Sequence, residues 1–453
     1  MKKSMRIGSL AAAVCLILGA WAVTFGLSEC KKAEDSEATL SSSLAVQTIR
    51  SDAAVDARST TTATTASATG TAIFQKSDLF TDRDLKQEAD LSKAVTLTVS
   101  DGQDIEITQA GVYVLTGTAK DASVLVAADK EDKVQLVLDG LEITNSSAPA
   151  IYVKSADKVF VTTASASSLS VTGTFAADGD TNLDGVIFSK SDLILNGTAD
   201  LSIDSTKNGV VGKDDLKITG GTYTISAKVK AVEANDSIRI ADGTLKLTAG
   251  TDGLHAENDD DSSKGYIYIG GGTVTILAGD DGIHATTVIQ MDDGTVSVTA
   301  SEGIEATYVQ LNGGTIAIDS RDDGINAAKK SSAYRATVEI NGGDITVTMA
   351  SGDTDGVDSN GDIIVNGGTI RVTGNSTFDC DGSAQYNSGT IIANGQQIDY
   401  IPNQMFGGRG GRGGQGGFGG WGGFGESGDN PGDGSSGAYG GQGGFGGRGG
   451  RWH

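Results

Sequence analysis

Bulky apolar side chains are scarce in this 453-residue sequence. Aromatic residues make up 5% of it and prolines number three, whereas there are 66 glycines, about twice the average usage. A chain of this length with so little bulky apolar material is not expected to build one large globular core. A repeat architecture avoids the difficulty, because each unit buries its apolar face only against its neighbours.

Basic residues are also in deficit, with 34 Lys and Arg against 58 Asp and Glu and a formal net charge of −24. The deficit argues against a nucleic-acid partner, since phosphate backbones are held by Lys and Arg. An acidic surface attracts cations instead. The sequence also lacks GxSxG, HExxH and phosphate-loop motifs, so it offers no familiar nucleophile or nucleotide site.

The N-terminus has the pattern of an export signal, a basic MKKSMR followed by a long apolar run and then Cys30. The stretch LSEC resembles a bacterial lipobox with Cys30 as the lipid-bearing residue. Two alternatives are cleavage after Ala22 and retention of the ~20 apolar residues as a membrane anchor. All three predict an exported protein, either a cell-surface lipoprotein or secreted, that meets a membrane only through its N-terminus. The three cysteines provide no disulfide framework.

Composition divides the chain into four segments. Residues 1–30 form the leader, and residues 31–70, rich in Ser, Thr and Ala, are expected to be a flexible linker. Residues 71–402 carry strand patterns and repeats, without an amphipathic helix of convincing length, and are expected to be monomeric. Residues 403–453 form a glycine-rich tail that is predicted to be disordered.

Two interleaved phrases repeat along the third segment. Each Gly-Thr phrase precedes a strand of alternating apolar and polar residues, and each Asp-Gly phrase has the form DG-(I/V/L)-x-A. The glycines are Gly197, Gly221, Gly243, Gly272, Gly294, Gly314 and Gly368 in the first phrase, and Gly185, Gly209, Gly253, Gly282, Gly303, Gly324 and Gly356 in the second. The second spacing is 21 to 24 residues where nothing is inserted. A period near 21 with short strands and no helix predicts an all-β parallel β-helix, a solenoid.

The residue x of the second phrase is expected to point outward, because side chains alternate along a strand. It is acidic, His or Asn in six successive repeats, namely Glu233, His255, His284, Glu305, Asn326 and Asp358. Acids also stand before the glycines, at Asp252, Asp281, Glu302, Asp323 and Asp355, with Asp280 and Asp322 one position earlier. An Asp-Gly pair is also common in turns, where Asp bonds the backbone and Gly takes a positive φ.

Stacked strands would place these acids about 4.8 Å apart. Calcium takes oxygen ligands at about 2.3–2.6 Å, so one ion can be shared by carboxylates of neighbouring repeats. The acids of both sets are therefore predicted calcium ligands. His255, His284 and Asn326 are predicted to bind substrate through hydrogen bonds, and a transition-metal site at the histidines remains an alternative.

Three tyrosines form a second outward set, in the strand before a Gly-Thr phrase. Alternation points Ile267 and Ile269 inward, so Tyr266 and Tyr268 point outward, and Tyr308 lies in line with Tyr266. Aromatic faces with a polar tip suit stacking on sugars, so these tyrosines are predicted substrate contacts.

The blocks VYVLTGTAKDASVLVAADKEDKVQLVLDGLEIT, DLILNGTADLSI, DGLHAEN, GYIYIGGGTVTI and DDGIHA resemble the bacterial carbohydrate-binding β-helix family related to pectate lyases. The resemblance covers roughly residues 74–400. It implies a right-handed parallel β-helix, bound calcium, and binding of plant-type or acidic polysaccharide by an exported protein.

Three functions follow as hypotheses. The first is a calcium-dependent binding protein for acidic, galacturonan-like polysaccharide. In it the bound ion makes the electrostatic potential of the acidic surface locally positive, so that an acidic polymer can bind. The second is a polysaccharide lyase with Lys230 or Arg321 as the catalytic base. These two residues are catalytic candidates only under this second hypothesis. The third is a structural adhesin whose acids are only solvated.

Overall fold

The period-two alternation of apolar residues produces strands through almost the whole repeat segment. The computed structural model describes residues 70–352 and 354–402. The leader with Cys30, the linker as far as residue 69, and the tail from 403 lie outside the described residues. Within residues 70–352 and 354–402, helix is confined to α1 (Lys76–Leu79) and a 3-10 turn at Leu91–Lys93. Within the described ranges, no helix has the length and apolar character of a membrane span.

The first seventeen strands are β1 (Val95–Thr98), β2 (Ile105–Ile107), β3 (Gly111–Lys120), β4 (Val124–Ala127), β5 (Lys133–Asn145), β6 (Ile151–Ser155), β7 (Lys158–Thr163), β8 (Ser167–Val171), β9 (Gly185–Ser189), β10 (Asp192–Gly197), β11 (Asp200–Ser205), β12 (Asn208–Gly212), β13 (Asp215–Ile218), β14 (Thr222–Ala227), β15 (Val232–Ala234), β16 (Ser237–Ile240) and β17 (Thr244–Ala249). The remainder are β18 (Leu254–Ala256), β19 (Tyr266–Ala278), β20 (Asp281–Ala285), β21 (Val288–Ala300), β22 (Glu302–Ala306), β23 (Tyr308–Leu311), β24 (Thr315–Ser320), β25 (Ile325–Ala327), β26 (Thr337–Ile340), β27 (Asp344–Met349), β28 (Asp355–Ser359), β29 (Asp362–Val365), β30 (Thr369–Thr373), β31 (Ser376–Cys380), β32 (Ala384–Tyr386), β33 (Thr390–Ala393) and β34 (Gln396–Ile398).

The described part of the protein is all-β, and its strands pair in parallel in two sheets except for the antiparallel pair β33–β34 at the end of the larger sheet. The twelve-stranded sheet runs β2-β4-β6-β9-β12-β15-β18-β20-β22-β25-β28-β31. The 22-stranded sheet contains two rows, one through β7, β10, β13 and β16 and the other through β8, β11, β14 and β17. The long strands β5, β19 and β21 take part in both rows. In the central part of the chain each repeat therefore adds one strand to each of three rows.

The main core lies between these three rows. In the phrase DGIHA, Ile283 and Ala285 are fully buried in it, as are Ile304 and Ala306 one repeat later. The apolar residues of the Gly-Thr strands, such as Val296 and Val298, face it from the larger sheet. Two inserted polar segments, NDDDSSK near Asp260 and AKKSSAYRA near Lys330, lie between β18 and β19 and between β25 and β26 and so leave the core strands intact.

The Asp-Gly glycines correct the turn interpretation. Gly303 and its equivalents lie in or beside strands without a positive φ, whereas Gly294 and the other Gly-Thr glycines take φ near +100°. A Cβ on Gly303 would collide with the carbonyl oxygen of Gly324 and with Cγ2 of Ile318. Glycine is needed here because neighbouring repeats approach too closely for a side chain.

Residues 71–93, which we call the strap, run across the outward face of the larger sheet before the first repeat begins. Gln290 accepts a hydrogen bond from the Phe74 N–H at 2.7 Å and donates one to the Phe74 carbonyl at 3.0 Å. Further along the strap, the fully buried Asp84 lies 3.0 Å from Nζ of Lys217 and 3.3 Å from Nζ of Lys158. The strap thereby ties distant repeats together.

Candidate functional site

Outward side chains of the twelve-stranded sheet form one continuous column. Strand pairing places the members directly over one another in the order Glu233, His255, His284, Glu305, Asn326, Asp358 and Asp379. We call this set the acid column. The vertical stacking is the arrangement that the repeat spacing predicts, because each repeat returns the chain to the same row one strand further on.

Asp379 is a member that the sequence reasoning missed. It stands 21 residues after Asp358, but its segment reads STFDCDG and lacks the glycine and alanine of the phrase. The spacing by itself would have found it. Its Oδ1 atom is buried and has no hydrogen-bond partner among the described residues.

The column becomes apolar before Glu233. Leu125, Tyr152, Phe188 and Val211 occupy the same position in the preceding repeats. Together with Leu183 they form a separate small cluster of mostly buried residues. The polar part of the column is therefore confined to the C-terminal half of the stack.

Glu233 is neutralised by the chain itself. Nζ of Lys213 lies 3.2 Å from its Oε1, Nζ of Lys230 lies 3.9 Å from its Oε2, and Asn208 donates a hydrogen bond to Oε2 at 2.8 Å. A cation at Glu233 would have to compete with these lysines, and its role as a calcium ligand stays a prediction.

The two column histidines stack face to face, with ring centroids 4.6 Å apart and planes 19° from parallel. His255 Nδ1 lies 2.8 Å from Oδ2 of Asp252, and His284 Nδ1 lies 2.5 Å from Oδ2 of Asp281. Burial by itself would lower the pKa of His284, but its bonds to Asp281 and Glu305 raise that pKa to about 9. Both rings are therefore tied to acids of their own chain.

Glu305 of the acid column and its neighbour Glu302 differ in how their negative charge is compensated. Burial and then the charges of Glu305 and Asp281 raise the pKa of Glu302 to about 7. Glu305 has a cationic neighbour, since Nζ of Lys330 lies 2.8 Å from its Oε2. Burial would raise the pKa of Glu305, but His284 and Lys330 lower it. Asn326 donates long hydrogen bonds of 3.4 and 3.5 Å to Glu302 and Glu305.

A purely carboxylate cluster closes the column at its C-terminal end. Asp355, Asp358 and Asp379 each bring an oxygen within 4.8 Å of the others. Burial, followed by the charges of Asp323, Asp355 and Asp379, raises the pKa of Asp358 to about 7. Among the described residues, none of these three aspartates has an ion pair within 4.0 Å. The cluster is thus an uncompensated concentration of negative charge.

The acids before the glycines have mixed surroundings. Oδ1 of Asp252 accepts the Asp281 backbone N–H at 3.3 Å, and Oδ1 of Asp323 accepts the Asp355 backbone N–H at 3.1 Å. Burial raises the pKa of Asp323 to about 6. Asp280 and Asp322 are exposed. Asp252 and Asp323 therefore each use one oxygen to tie neighbouring repeats, and the other oxygen of Asp252 lies beside His255.

The structure contradicts the prediction of open stacking faces for Tyr266 and Tyr268. Tyr266, Tyr268 and Tyr308 do lie outside the main core, but Tyr266 is only 8% exposed and Tyr268 is fully buried. The strap covers Tyr266 with Phe74 and Tyr268 with Phe80, whereas Tyr308 is half-buried and packs against Tyr334. Alternation along the strand gave the correct direction of these side chains, but it could not reveal a covering segment from elsewhere in the chain.

The two basic residues considered for lyase chemistry are not brought together. Lys230 precedes β15 and is paired with Glu233, whereas Arg321 precedes β25 and donates a hydrogen bond to the Gly279 carbonyl at 3.0 Å. Strands β18, β20 and β22 lie between β15 and β25 in their sheet. The two residues therefore belong to separate surroundings.

A family model for carbohydrate-binding domain-containing proteins matches residues 101–352 and 301–399, more than half of the chain. The chain belongs to this family. A curated relative from Acetivibrio thermocellus with the same description is 36% identical over 136 residues, which cover 29% of this chain and 47% of the relative. The chain thus spans about half the length of that curated relative.

A solved structure described as the polysaccharide lyase-like protein from C. thermocellum, gadolinium derivative, is also similar. Its sequence identity is 29% and its TM-score is 0.43, with 49% of this chain and 93% of that chain covered.

Proposed function

We propose that this protein is an exported, calcium-dependent binding protein for acidic polysaccharide, built as a right-handed parallel β-helix. The three stacked rows and their repeat-by-repeat parallel pairing support the fold. Membership of the carbohydrate-binding family supports a polysaccharide partner. Anchoring through Cys30 is part of the proposal; radiolabelled palmitate should enter the wild type and not Cys30→Ala.

The cluster Asp355–Asp358–Asp379 is the observation that carries the calcium proposal. Three carboxylates supply only oxygen ligands, which suit Ca²⁺, an ion that takes six to eight of them. The unpartnered Oδ1 of Asp379 fits the same interpretation, because a buried polar atom without a partner is costly. Asp323, whose charge also raises the pKa of Asp358, is a further acid beside this group.

When bound, Ca²⁺ supplies positive charge to an otherwise acidic surface, which allows the uronate groups of a polysaccharide to approach. The protein residues hold the charge pattern in place: the strands set the carboxylate spacing, and burial on the core side prevents the acids from moving apart. The specificity expected is therefore for polymers with regularly spaced carboxylates.

Binding to polygalacturonate, measured with Ca²⁺ and with EDTA, tests the proposal. Wild type should bind only with Ca²⁺, and Asp358→Asn and Asp379→Asn should lose both Ca²⁺ and polymer, whereas the exposed Asp319→Asn should behave as wild type. Binding that survives complete chelation would refute the calcium mechanism. Ultraviolet absorbance followed in the same mixtures would reveal unsaturated products if the polymer is cleaved.

A further inference from the structure

The middle of the acid column contains nitrogen as well as oxygen ligand atoms. His284 Nδ1 lies 2.5 Å from Oδ2 of Asp281 and 3.3 Å from Oε2 of Glu305. The three atoms come from two neighbouring repeats and lie within 4.8 Å of one another. Their side chains are only 10–13% exposed, so the group is held in a largely water-excluded place.

The preceding repeat presents the same pair of residue types. His255 stacks on His284, and the carboxylate of Asp252 stands beside it. His255 is 6% exposed, and its Nδ1 is buried without an aligned hydrogen-bond acceptor, although Oδ2 of Asp252 is 2.8 Å away. The His255 ring therefore covers the His284 side of the group, and its Nε2 lies 3.1 Å from Oε2 of Glu257.

This donor set does not suit calcium, which prefers oxygen ligands alone. Imidazole nitrogen combined with carboxylate oxygen suits Zn²⁺ and its neighbours in the transition series. Bonds of about 2.0–2.2 Å in a tetrahedral site place ligand atoms roughly 3.3 Å apart. The separation between His284 Nδ1 and Glu305 Oε2 is 3.3 Å and matches this value, whereas the 2.5 Å contact between His284 Nδ1 and Asp281 Oδ2 must lengthen when a metal binds.

We propose that Asp281, His284 and Glu305 form a site for a divalent transition metal of the Zn²⁺ type, with the His255 ring of the preceding repeat packed against it. The acid column then has two cation sites of different selectivity, nitrogen and oxygen donors in its middle and oxygen donors alone at its C-terminal end. This site is independent of the proposed calcium and polysaccharide binding.

Lys330 provides a sharp test of the assignment. Its Nζ lies 2.8 Å from Oε2 of Glu305, the same oxygen that the metal would use. A metal must displace this ammonium group. Lys330→Met should therefore tighten Zn²⁺ binding, whereas His284→Asn should weaken it, so the two substitutions have opposite expected effects on one measurement.

Calorimetric titration of Zn²⁺ into full-length protein without a polyhistidine tag tests the proposal. The chain has three histidines, so a His453→Gln background leaves only the two column rings. We expect one saturable site, weakened in His284→Asn by at least the 10- to 100-fold typical of losing an outer-shell partner, and tightened in Lys330→Met. Co²⁺ should give the visible absorption of a nitrogen-containing site, and His284→Asn should abolish it.

The contrary result is equally specific. No saturable Zn²⁺ binding, or binding unchanged in both His284→Asn and Lys330→Met, would overturn the proposal. Lys330→Met keeps the test decisive if His284→Asn does not fold. Asp358→Asn should retain Zn²⁺ and lose Ca²⁺, so failure of this site and failure of the calcium site can be told apart.

Discussion

The ring of Phe74 stacks on the ring of Tyr266, with centroids 4.4 Å apart and planes 26° from parallel. A residue of the strap thus covers a side chain of the sheet that the sequence alone presents as open. The same cover extends through Phe80, whose centroid lies 6.1 Å from that of Tyr268. The sheet face under the strap is therefore an internal packing surface.

Phe80→Ala tests this packing role. Phe80 is 7% exposed, and truncating a buried phenylalanine costs about 3–5 kcal/mol. We expect that loss in chemical denaturation, with no change in polysaccharide affinity under conditions where the variant is folded. Leu85→Ala is the matched control, because Leu85 belongs to the same strap but is 43% exposed. Loss of polysaccharide affinity in folded Phe80→Ala would instead indicate that the tyrosines contact the polysaccharide.

Asp84→Asn should destabilise the protein strongly. Its carboxylate is fully buried between Lys217 and Lys158, whose side chains are 6% and 12% exposed. Burial would raise the pKa of Asp84, but the Thr81 N–H and the two lysines lower it. Removing the charge leaves two buried ammonium groups poorly compensated, at a cost of about 3–5 kcal/mol. Thermal denaturation measures the loss, with exposed Asp78→Asn as control; equal stability of the two variants would contradict the prediction.

Gly303→Ala should be more damaging than an ordinary glycine substitution. The added Cβ would meet the Gly324 carbonyl and Ile318, so neighbouring repeats must separate; overpacking of this kind costs about 1–3 kcal/mol. Gly212→Ala is the matched control, because its nearest contact would be Cβ of Leu216 at an ordinary 3.4 Å. Denaturant titration of both variants measures the difference. Equal denaturation midpoints would show that neighbouring repeats can move apart without loss of stability, against this prediction.

The metal-free protein should lose stability as the pH rises from about 4 to 7. Asp358 has a folded pKa of about 7 against an ordinary 3.8, so the folded state holds a proton that the unfolded state has lost in this range. The contribution is below about 1.4 kcal/mol per pH unit. Urea denaturation in EDTA should show this fall in wild type and a smaller one in Asp358→Asn. Added Ca²⁺ should restore stability at pH 8 in wild type alone, and a pH dependence identical in both proteins would contradict the assignment.

The sequence by itself determined the repeat, the strand positions and the stacking of the acid column. These features are local or periodic: alternation sets which side of a strand each residue faces, and a constant spacing returns equivalent residues to one row. His255 and His284 could be placed on neighbouring repeats for this reason, and Asp379 could have been placed there by the same spacing.

Only the tertiary structure decided which members of that column remain uncompensated and which outward faces remain open. Lys330 reaches Glu305 from an insert, and Lys213 reaches Glu233 from the preceding repeat. The strap residue Phe74 bonds to Gln290, 216 positions away. Such contacts follow from the path of loops and of the strap across the folded surface, and no local pattern of residues encodes that path. The repeat therefore gave the location of the charges, and the packed chain determined their partners.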